Sequence, residues 1–194
     1  MIACADCTGH GVPGALTSMI GIALLNEIVG GNKITDPSKV LELLDNGIIK
    51  AFENSESETN DGMDISLITI DKINQTIEYS GAYRPLIMIR NNELFEYKPT
   101  KMSIGFKDVK EKAFEKTTLK FEEGDCFFMY SDGYPDQFGG PRNKKFKTRT
   151  LKEMLINGSA NDMLEQKNNV QRRFKEWMGD KEQIDDILIM GFKF

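Results

Sequence analysis

CFFMYSDGY, residues 126–134, joins a run of apolar and aromatic residues to an Asp-Gly pair that begins at Asp132. Such a run is typical of a buried β-strand, and Asp-Gly is typical of the turn that ends one. A carboxylate also stands beside an apolar run near each end of the chain: Asp6 follows MIACA, and the pair Asp185-Asp186 precedes ILIMGF. The sequence therefore predicts carboxylates at strand ends, an oxygen-only ligand set that suits hard divalent cations such as Mg²⁺ or Mn²⁺ and not zinc.

The pattern outward from this stretch predicts helices and antiparallel strands. One amphipathic helix is expected from Pro13 to a Gly30-Gly31 stop, and a second begins at Asp36-Pro37-Ser38. Strand alternation and turn signals predict a meander of hairpins and further strands, followed by two helices and a closing strand. Their expected bounds are residues 63–98 for the meander, 113–121 and 125–131 for two strands, 150–156 and 160–178 for the helices, and 187–192 for the last strand. Hairpin-linked strands with segregated helices indicate an α+β fold.

The spacing of apolar residues also predicts which side chains are buried. The second helix should bury Val40, Leu41, Leu44, Ile48 and Phe52, which share one face. The last helix should do so with Met163, Leu164, Val170, Phe174 and Trp177. Met19, Met63 and Met129 are expected to fill the core.

Length and composition narrow the class of protein. A chain of 194 residues with 40% hydrophobic residues fits one domain, residues 1–194. A net charge of -5, without a basic stripe among aromatics, argues against nucleic acid as a partner. The longest apolar stretch, around Gly21–Val29, is shorter than the roughly 20 residues of a membrane span, so no membrane contact is expected. Three cysteines and no secretory leader favour a reducing compartment, the cytoplasm.

Cys4 and Cys7 spell C-x-x-C, which raises redox or zinc chemistry as an alternative. His10 is the only histidine and Cys126 is remote in sequence, so a tetrahedral zinc site lacks ligands. This alternative is the less favoured one.

Five motifs in order resemble the SpoIIE branch of the PPM family, bacterial metal-dependent serine/threonine phosphatases similar to protein phosphatase 2C. Together they spread over nearly the whole chain. They are ADCTGHGVPGAL (5–16), DGMDISLITID (61–71), SGAYRPL (80–86), GDCFFMYSDGYPDQFGG (124–140) and QIDDILIMGF (183–192).

This resemblance implies an α/β-β/α sandwich of two antiparallel sheets that hold two divalent cations, Mn²⁺ or Mg²⁺. It implies that Asp6 bridges both metals, that Cys7 offers its backbone carbonyl, and that Asp132 and Asp185 ligate the second metal. Asp186 is the alternative to Asp185. The implied reaction is hydrolysis of phosphoserine or phosphothreonine by a metal-activated water, without a phospho-enzyme.

Further candidate roles follow from exposed loop positions, which often contact substrates, and from the family. Tyr83, Arg84 and Arg142 are expected to contact the phosphoprotein, which the family implies is a regulatory protein of the anti-sigma-factor-antagonist type. His10 is a weaker candidate for a general acid. An upstream sensor or regulatory domain is expected to act on the first helix pair.

Family members have further N-terminal strands and a Gly-Gly-Asp motif that supplies another ligand, and the chain is expected to lack both. An N-terminally truncated sheet would have an exposed edge that favours a homodimer. The alternative function is thus a catalytically weak or inactive phosphatase-like module that signals through partner binding or self-association.

Overall fold

The computed structural model describes residues 1–9, 11–52, 62–106 and 113–194. Within them the chain divides into two units. The N-terminal unit comprises Met1–Leu86 and Lys98–Phe121, and the C-terminal unit comprises Ile87–Tyr97 and Glu122–Phe194. The polar segment NSESETND (54–61), whose composition predicts a loop, and the candidate acid His10 lie outside the described residues.

The elements alternate between short strands and a few helices. In chain order they are β1 (Ile2–Cys7), α1 (Gly11–Leu25) continued by a π-helical turn (Asn26–Gly31), α2 (Pro37–Ala51), β2 (Met63–Asp71), β3 (Thr76–Ala82), β4 (Leu86–Arg90), β5 (Glu93–Tyr97), β6 (Thr117–Lys120), β7 (Cys126–Tyr130), α3 (Gly133–Asp136), β8 (Phe138–Gly139), β9 (Lys144–Lys145), α4 (Thr148–Asn157), α5 (Met163–Met178) and β10 (Ile189–Lys193).

The N-terminal unit contains a four-stranded sheet in the order β1-β2-β3-β6, and its three pairings are all antiparallel. Helix α2 begins at Asp36, whose side chain accepts hydrogen bonds from the backbone N–H groups of Ser38 and Lys39. Its predicted face is confirmed, since Val40, Leu41, Leu44 and Ile48 are completely buried and Phe52 packs against them. Burial of this stripe stabilises the helix, because isolated helices of this length are marginal in water.

Helix α1 packs against the core with only part of its apolar stripe, through Ile20, Leu24 and Leu25, and it fully buries only small residues. Its buried residues are Gly14, Thr17 and Gly21, whereas Met19 is 68% exposed. A Cβ atom on Gly14 would lie 2.7 Å from the carbonyl oxygen of Gly9, so the preceding loop fits only against a residue without a side chain. The prediction that Met19 fills the core is therefore wrong, while Met63 and Met129 are buried as predicted.

The helical stretch Gly11–Gly31 has 21 residues, and by length and composition it is apolar enough to cross a membrane. About a fifth of its most apolar window is buried in the structure. Core helices of soluble proteins and signal sequences pass the same test. The sequence predicts only apolar segments that are shorter than a membrane-spanning helix, and that expectation is wrong for this helix.

The C-terminal unit contains the second four-stranded sheet, in the order β10-β7-β4-β5, and β10 and β4 both pair antiparallel with β7. Aromatic residues dominate its packing: Tyr134 contacts Phe146 and Phe174, and Phe146 contacts Trp177 edge to face. Aromatic pairs in such arrangements add stability beyond the area that they bury. The predicted stripe of α5 is confirmed except at Leu164, which is exposed.

Two local predictions need correction. The meander predicted for residues 63–98 is interrupted, since β3 belongs to one sheet and β4 to the other. Residues 133–143, whose glycines and prolines predict a loop, contain the short helix α3 and the strand β8. The remaining strands and helices occur where the pattern predicts them, with bounds that differ by a few residues.

Candidate functional site

Two carboxylates face each other across the first pair of strands. In the register of β1 and β2, Asp6 lies directly opposite Asp64, and directly opposed residues of an antiparallel pair point to the same face. Asp6 thus lies inside a strand, not after one as the sequence pattern predicted. Two like charges at opposed positions destabilise a sheet unless a cation offsets them.

Arg84 supplies that positive charge. Its Nη2 atom lies 2.8 Å from Oδ2 of Asp6 and 3.3 Å from Oδ2 of Asp64. The three side chains are 13% exposed for Arg84, 16% for Asp6 and 23% for Asp64. Because they are largely shielded from water, their electrostatic interaction is stronger than that of an ion pair on the surface.

Hydrogen bonds within a tight turn hold Arg84 in this position. Tyr83 has a positive φ of 54°, and the N–H of Arg84 donates to the carbonyl of Ala82 over 2.7 Å. The buried hydroxyl of Tyr79 donates to the carbonyl of Arg84, also over 2.7 Å. Gly81 is required here, because a Cβ atom would lie 2.3 Å from that hydroxyl oxygen.

Ser103 is a further member of the site that sequence reasoning missed. Its hydroxyl donates to Oδ1 of Asp64 over 2.6 Å. Backbone hydrogen bonds in both directions between Met63 and Ile104 hold the two segments together. Ser103 lies in KMSIGF, a stretch with no motif, so no signal in the sequence could have identified it.

The cysteines of the C-x-x-C segment are not poised for thiolate chemistry. Burial raises the pKa of Cys4 to about 12, with Arg84 opposing the shift and Asp6 adding to it. Burial also raises the pKa of Cys7, against a hydrogen bond from the Ser18 hydroxyl. Thiols that stay protonated at neutral pH are poor nucleophiles and poor metal ligands. The metal contact expected of the Cys7 backbone carbonyl stays a prediction.

The C-terminal unit presents the second set of candidate residues at the end of β7. Ser131 precedes Asp132 and accepts a hydrogen bond from the N–H of Leu188, while its own hydroxyl donates to the carbonyl of Asp186 over 3.0 Å. On the other side of Asp132, a Cβ atom on Gly133 would lie 2.3 Å from that same carbonyl oxygen. The Ser-Asp-Gly motif therefore fixes the segment that leads into β10 against the turn at Asp132.

Asp185 and Asp186 are both exposed, and Oδ1 of Asp185 accepts a hydrogen bond from the N–H of Asp186 over 2.7 Å. The backbone of Asp186 is the part tied to the Asp132 turn. Which carboxylate would bind a metal stays a prediction, with Asp185 favoured from the sequence.

The two remaining candidates lie on exposed turns. Tyr83 is half exposed, and Arg142 is exposed between β8 and β9. A backbone hydrogen bond from Asn143 to Gly140 closes the turn that contains Arg142. Their predicted contact with a phosphoprotein stays a prediction.

The donor chemistry of these residues fits a hard divalent cation. Asp6, Asp64, Asp132 and Asp185 offer only oxygen atoms, the ligands that Mg²⁺ and Mn²⁺ take. Among the described residues, no group of three or more His, Cys, Asp or Glu side chains is arranged to hold a metal ion. In the N-terminal unit, the guanidinium of Arg84 contacts the carboxylates of Asp6 and Asp64.

The architecture has a clear match among solved structures. The SiaA-PP2C domain of Pseudomonas aeruginosa superposes with a TM-score of 0.89 at 27% identity, over 99% of this chain and 74% of that one. The chain therefore has the fold of the PP2C, or PPM, phosphatases, and the predicted α+β class is confirmed. The family model of stage II sporulation protein E (SpoIIE) matches residues 1–194. The chain belongs to the SpoIIE family.

Two other structures share this fold at lower identity. The PP2C phosphatase domain of SpoIIE from Bacillus subtilis, solved with a fragment of its regulatory domain, gives a TM-score of 0.73 at 19% identity over 98% of this chain and 53% of that one. The catalytic domain of the serine/threonine phosphatase PstP, in complex with two manganese ions, gives 0.65 at 16% identity over 96% and 84%. No curated protein matches the chain significantly.

Proposed function

We propose that the chain hydrolyses phosphoserine or phosphothreonine on a regulatory protein, with a water activated by two divalent cations, Mn²⁺ or Mg²⁺. The observation that carries this proposal is the pair of opposed, partly buried carboxylates Asp6 and Asp64 in a chain of the SpoIIE family. The two manganese ions of the PstP catalytic domain support the choice of cofactor.

The metal-binding residues would be Asp6, the carbonyl of Cys7, Asp132 and Asp185 or Asp186, and Asp64 would offer a further carboxylate opposite Asp6. Bound divalent cations supply Lewis acidity, which lowers the pKa of water and offsets the negative charge of a phosphoryl group. Asp6 lies within β1, and Asp132 lies in the tight turn between β7 and α3. Strands and their tight turns keep such ligands in place more rigidly than loops do.

The other candidate residues would bind and orient the phosphoprotein. The guanidinium of Arg84 offers donors in the fork geometry that matches phosphate oxygens. Tyr83 and Arg142, on exposed turns, would contact the substrate around the phosphorylated residue. These contacts would hold the phosphoryl group in place for the attack of water, and orientation of this kind lowers the barrier.

The test is phosphate release from a phosphoserine peptide with and without MnCl₂. We expect release that depends on Mn²⁺ and falls more than about 100-fold in Asp132→Asn, because loss of even outer-shell partners of metal ligands costs about 10- to 100-fold. Asp136→Asn is the matched control: it changes an exposed carboxylate four residues further along, which pairs with Lys145. Release without metal, or equal loss in both variants, would contradict the proposal.

A second candidate function is regulation through a partner, and a specific feature of α1 favours it. Val12, Leu16, Met19 and Ile22 are all exposed on this helix, and clustered exposed apolar residues mark interaction surfaces. The partner would be an upstream sensor or regulatory domain, or a second copy in a homodimer. The fragment of a regulatory domain present in the SpoIIE structure supports this class of partner.

Sedimentation and turnover together separate the two functions. A monomer in analytical ultracentrifugation that releases phosphate robustly would exclude the module that acts only through association. An oligomer without Mn²⁺-dependent release would favour the module that acts through association.

We also propose that the chain is one SpoIIE-type domain located in the cytoplasm, consistent with three free cysteines among the described residues.

A further inference from the structure

One guanidinium serves both carboxylates of the N-terminal unit. The Nη2 atom of Arg84 contacts Oδ2 of Asp6 at 2.8 Å and Oδ2 of Asp64 at 3.3 Å. Arg84 thus contacts the carboxylate of Asp6, a residue that would hold a metal ion in the proposed function. A cation that approaches Asp6 meets a positive charge held a few ångströms away, and in this partly buried setting the repulsion is only weakly screened.

We propose that Arg84 competes with a divalent cation for Asp6 and Asp64, and that it thereby sets the metal affinity of this site. The inference rests on the proposed function, in which Asp6 is a metal ligand. Without metal, the guanidinium neutralises the two opposed carboxylates. When metal binds, the cation takes over that neutralisation and the guanidinium leaves Asp6.

The turn allows this exchange because its backbone is held by other atoms. The Tyr79 hydroxyl and the Ala82 carbonyl bind the main chain of Arg84, and neither uses its guanidinium. Asp64 is likewise anchored through its other oxygen, Oδ1, by the hydroxyl of Ser103. The side chain of Arg84 can therefore change partners while the turn and Asp64 keep their positions.

The alternative is that Arg84 is a positioning residue that orients the carboxylate of Asp6 for the metal. The two roles predict opposite effects when the positive charge is removed: metal affinity rises if Arg84 competes with the metal and falls if Arg84 orients Asp6. Arg84→Met keeps the aliphatic bulk and removes the charge, whereas Arg84→Lys keeps the charge. The two variants together separate the charge from the packing of the side chain.

Mn²⁺ binding is measured by isothermal titration calorimetry on the metal-free full chain. If Arg84 competes, Arg84→Met binds Mn²⁺ on the order of tenfold more tightly than wild type, a change of about 1.4 kcal/mol. Arg84→Lys stays within about threefold of wild type, since a unit positive charge remains near the carboxylates. Unchanged or weaker binding by Arg84→Met would overturn the inference.

A second readout needs no substitution and no activity. Phenylglyoxal modifies accessible arginines, and peptide mass spectrometry reports each of the six arginines of this chain separately. We expect MnCl₂ to increase the modification of Arg84, while exposed Arg149 and Arg172 serve as internal references. Equal modification of Arg84 with and without metal would overturn the inference.

The inference and the proposed function fail in different ways. If wild type binds Mn²⁺ and releases phosphate, but Arg84→Met shows no gain in affinity, only the inference fails. If wild type neither binds Mn²⁺ nor shows metal-dependent release, the proposed function fails and the inference fails with it.

Discussion

Replacing Tyr79 with Phe removes one hydroxyl group from the turn that carries Arg84. The Tyr79 side chain is buried, and its hydroxyl donates to the carbonyl of Arg84 over 2.7 Å. The substitution leaves the ring in place and takes a hydrogen-bond donor away from a carbonyl in a part-buried setting. A lost hydrogen bond that leaves its partner unsatisfied costs about 1 to 3 kcal/mol, and we expect about 1.5 kcal/mol here, within that range.

The assay is thermal unfolding followed by circular dichroism, in EDTA so that metal binding does not contribute. For a chain of this length, 1 kcal/mol shifts Tm by about 2 to 4 °C, so Tyr79→Phe should lower Tm by about 3 to 6 °C. The Michaelis constant for a phosphoserine peptide should rise as well, because a looser turn holds Arg84 less firmly for phosphate.

Tyr97→Phe is the matched control. Among the residues that the structure describes, the hydroxyl of Tyr97 donates to the sulfur of Met88 at 3.8 Å, and a thioether is a weak acceptor. Its removal should change the unfolding free energy by less than about 0.5 kcal/mol. Equal shifts in the two variants, or no loss in Tyr79→Phe, would refute the view that this hydroxyl holds the turn.

Arg90→Met should destabilise the chain by about 3 to 5 kcal/mol in urea denaturation, because Arg90 donates to both oxygens of Asp125, a side chain only 2% exposed. Arg149→Met, at a side chain that is 89% exposed, should leave the urea midpoint almost unchanged, and equal losses of stability in the two variants would contradict this reasoning. Burial raises the pKa of Asp36, yet hydrogen bonds from Lys116 and the helix start outweigh it and lower that pKa to about 2. A pKa below the unfolded value of about 3.9 means that this stabilisation is present above pH 4 and lost as the pH falls toward 2. When the pH falls from 5 to 2, the free energy of unfolding of Asp36→Asn should therefore decrease less than that of wild type. The difference should be on the order of 1 kcal/mol after allowance for solvent screening. If the two proteins lose the same stability over this range, Asp36 carries no such linkage.

Local patterns predicted those elements whose burial depends on their own spacing of apolar residues. Helix α2 is such a case, since its cap at Asp36 and its buried stripe are both encoded within about 15 residues. Strand β2 is another, because β-branched and apolar residues alternate through MDISLITID.

In helix α1, the spacing of apolar residues does not predict which side chains are fully buried. Leu16 and Met19 are large apolar residues and yet are exposed, whereas the helix fully buries Gly14, Thr17 and Gly21. Close approach between a helix and a loop is a matter of steric fit, which hydropathy does not measure. The interrupted meander has a similar cause, since the change of sheet between β3 and β4 depends on the turn at Tyr83 and not on strand propensity.

The sequence by itself determined the family, because short motifs such as those around Asp6 and Asp132 each lie within a few consecutive residues. Only the tertiary structure decided that Asp64, Ser103 and Arg84 belong to the same site as Asp6. Arg84 lies 78 residues from Asp6 along the chain, and Asp64 meets Asp6 only through the register of β1 on β2. Such neighbours are set by strand pairing and by a turn held through Tyr79, and contacts of that range leave no periodic signal in the sequence.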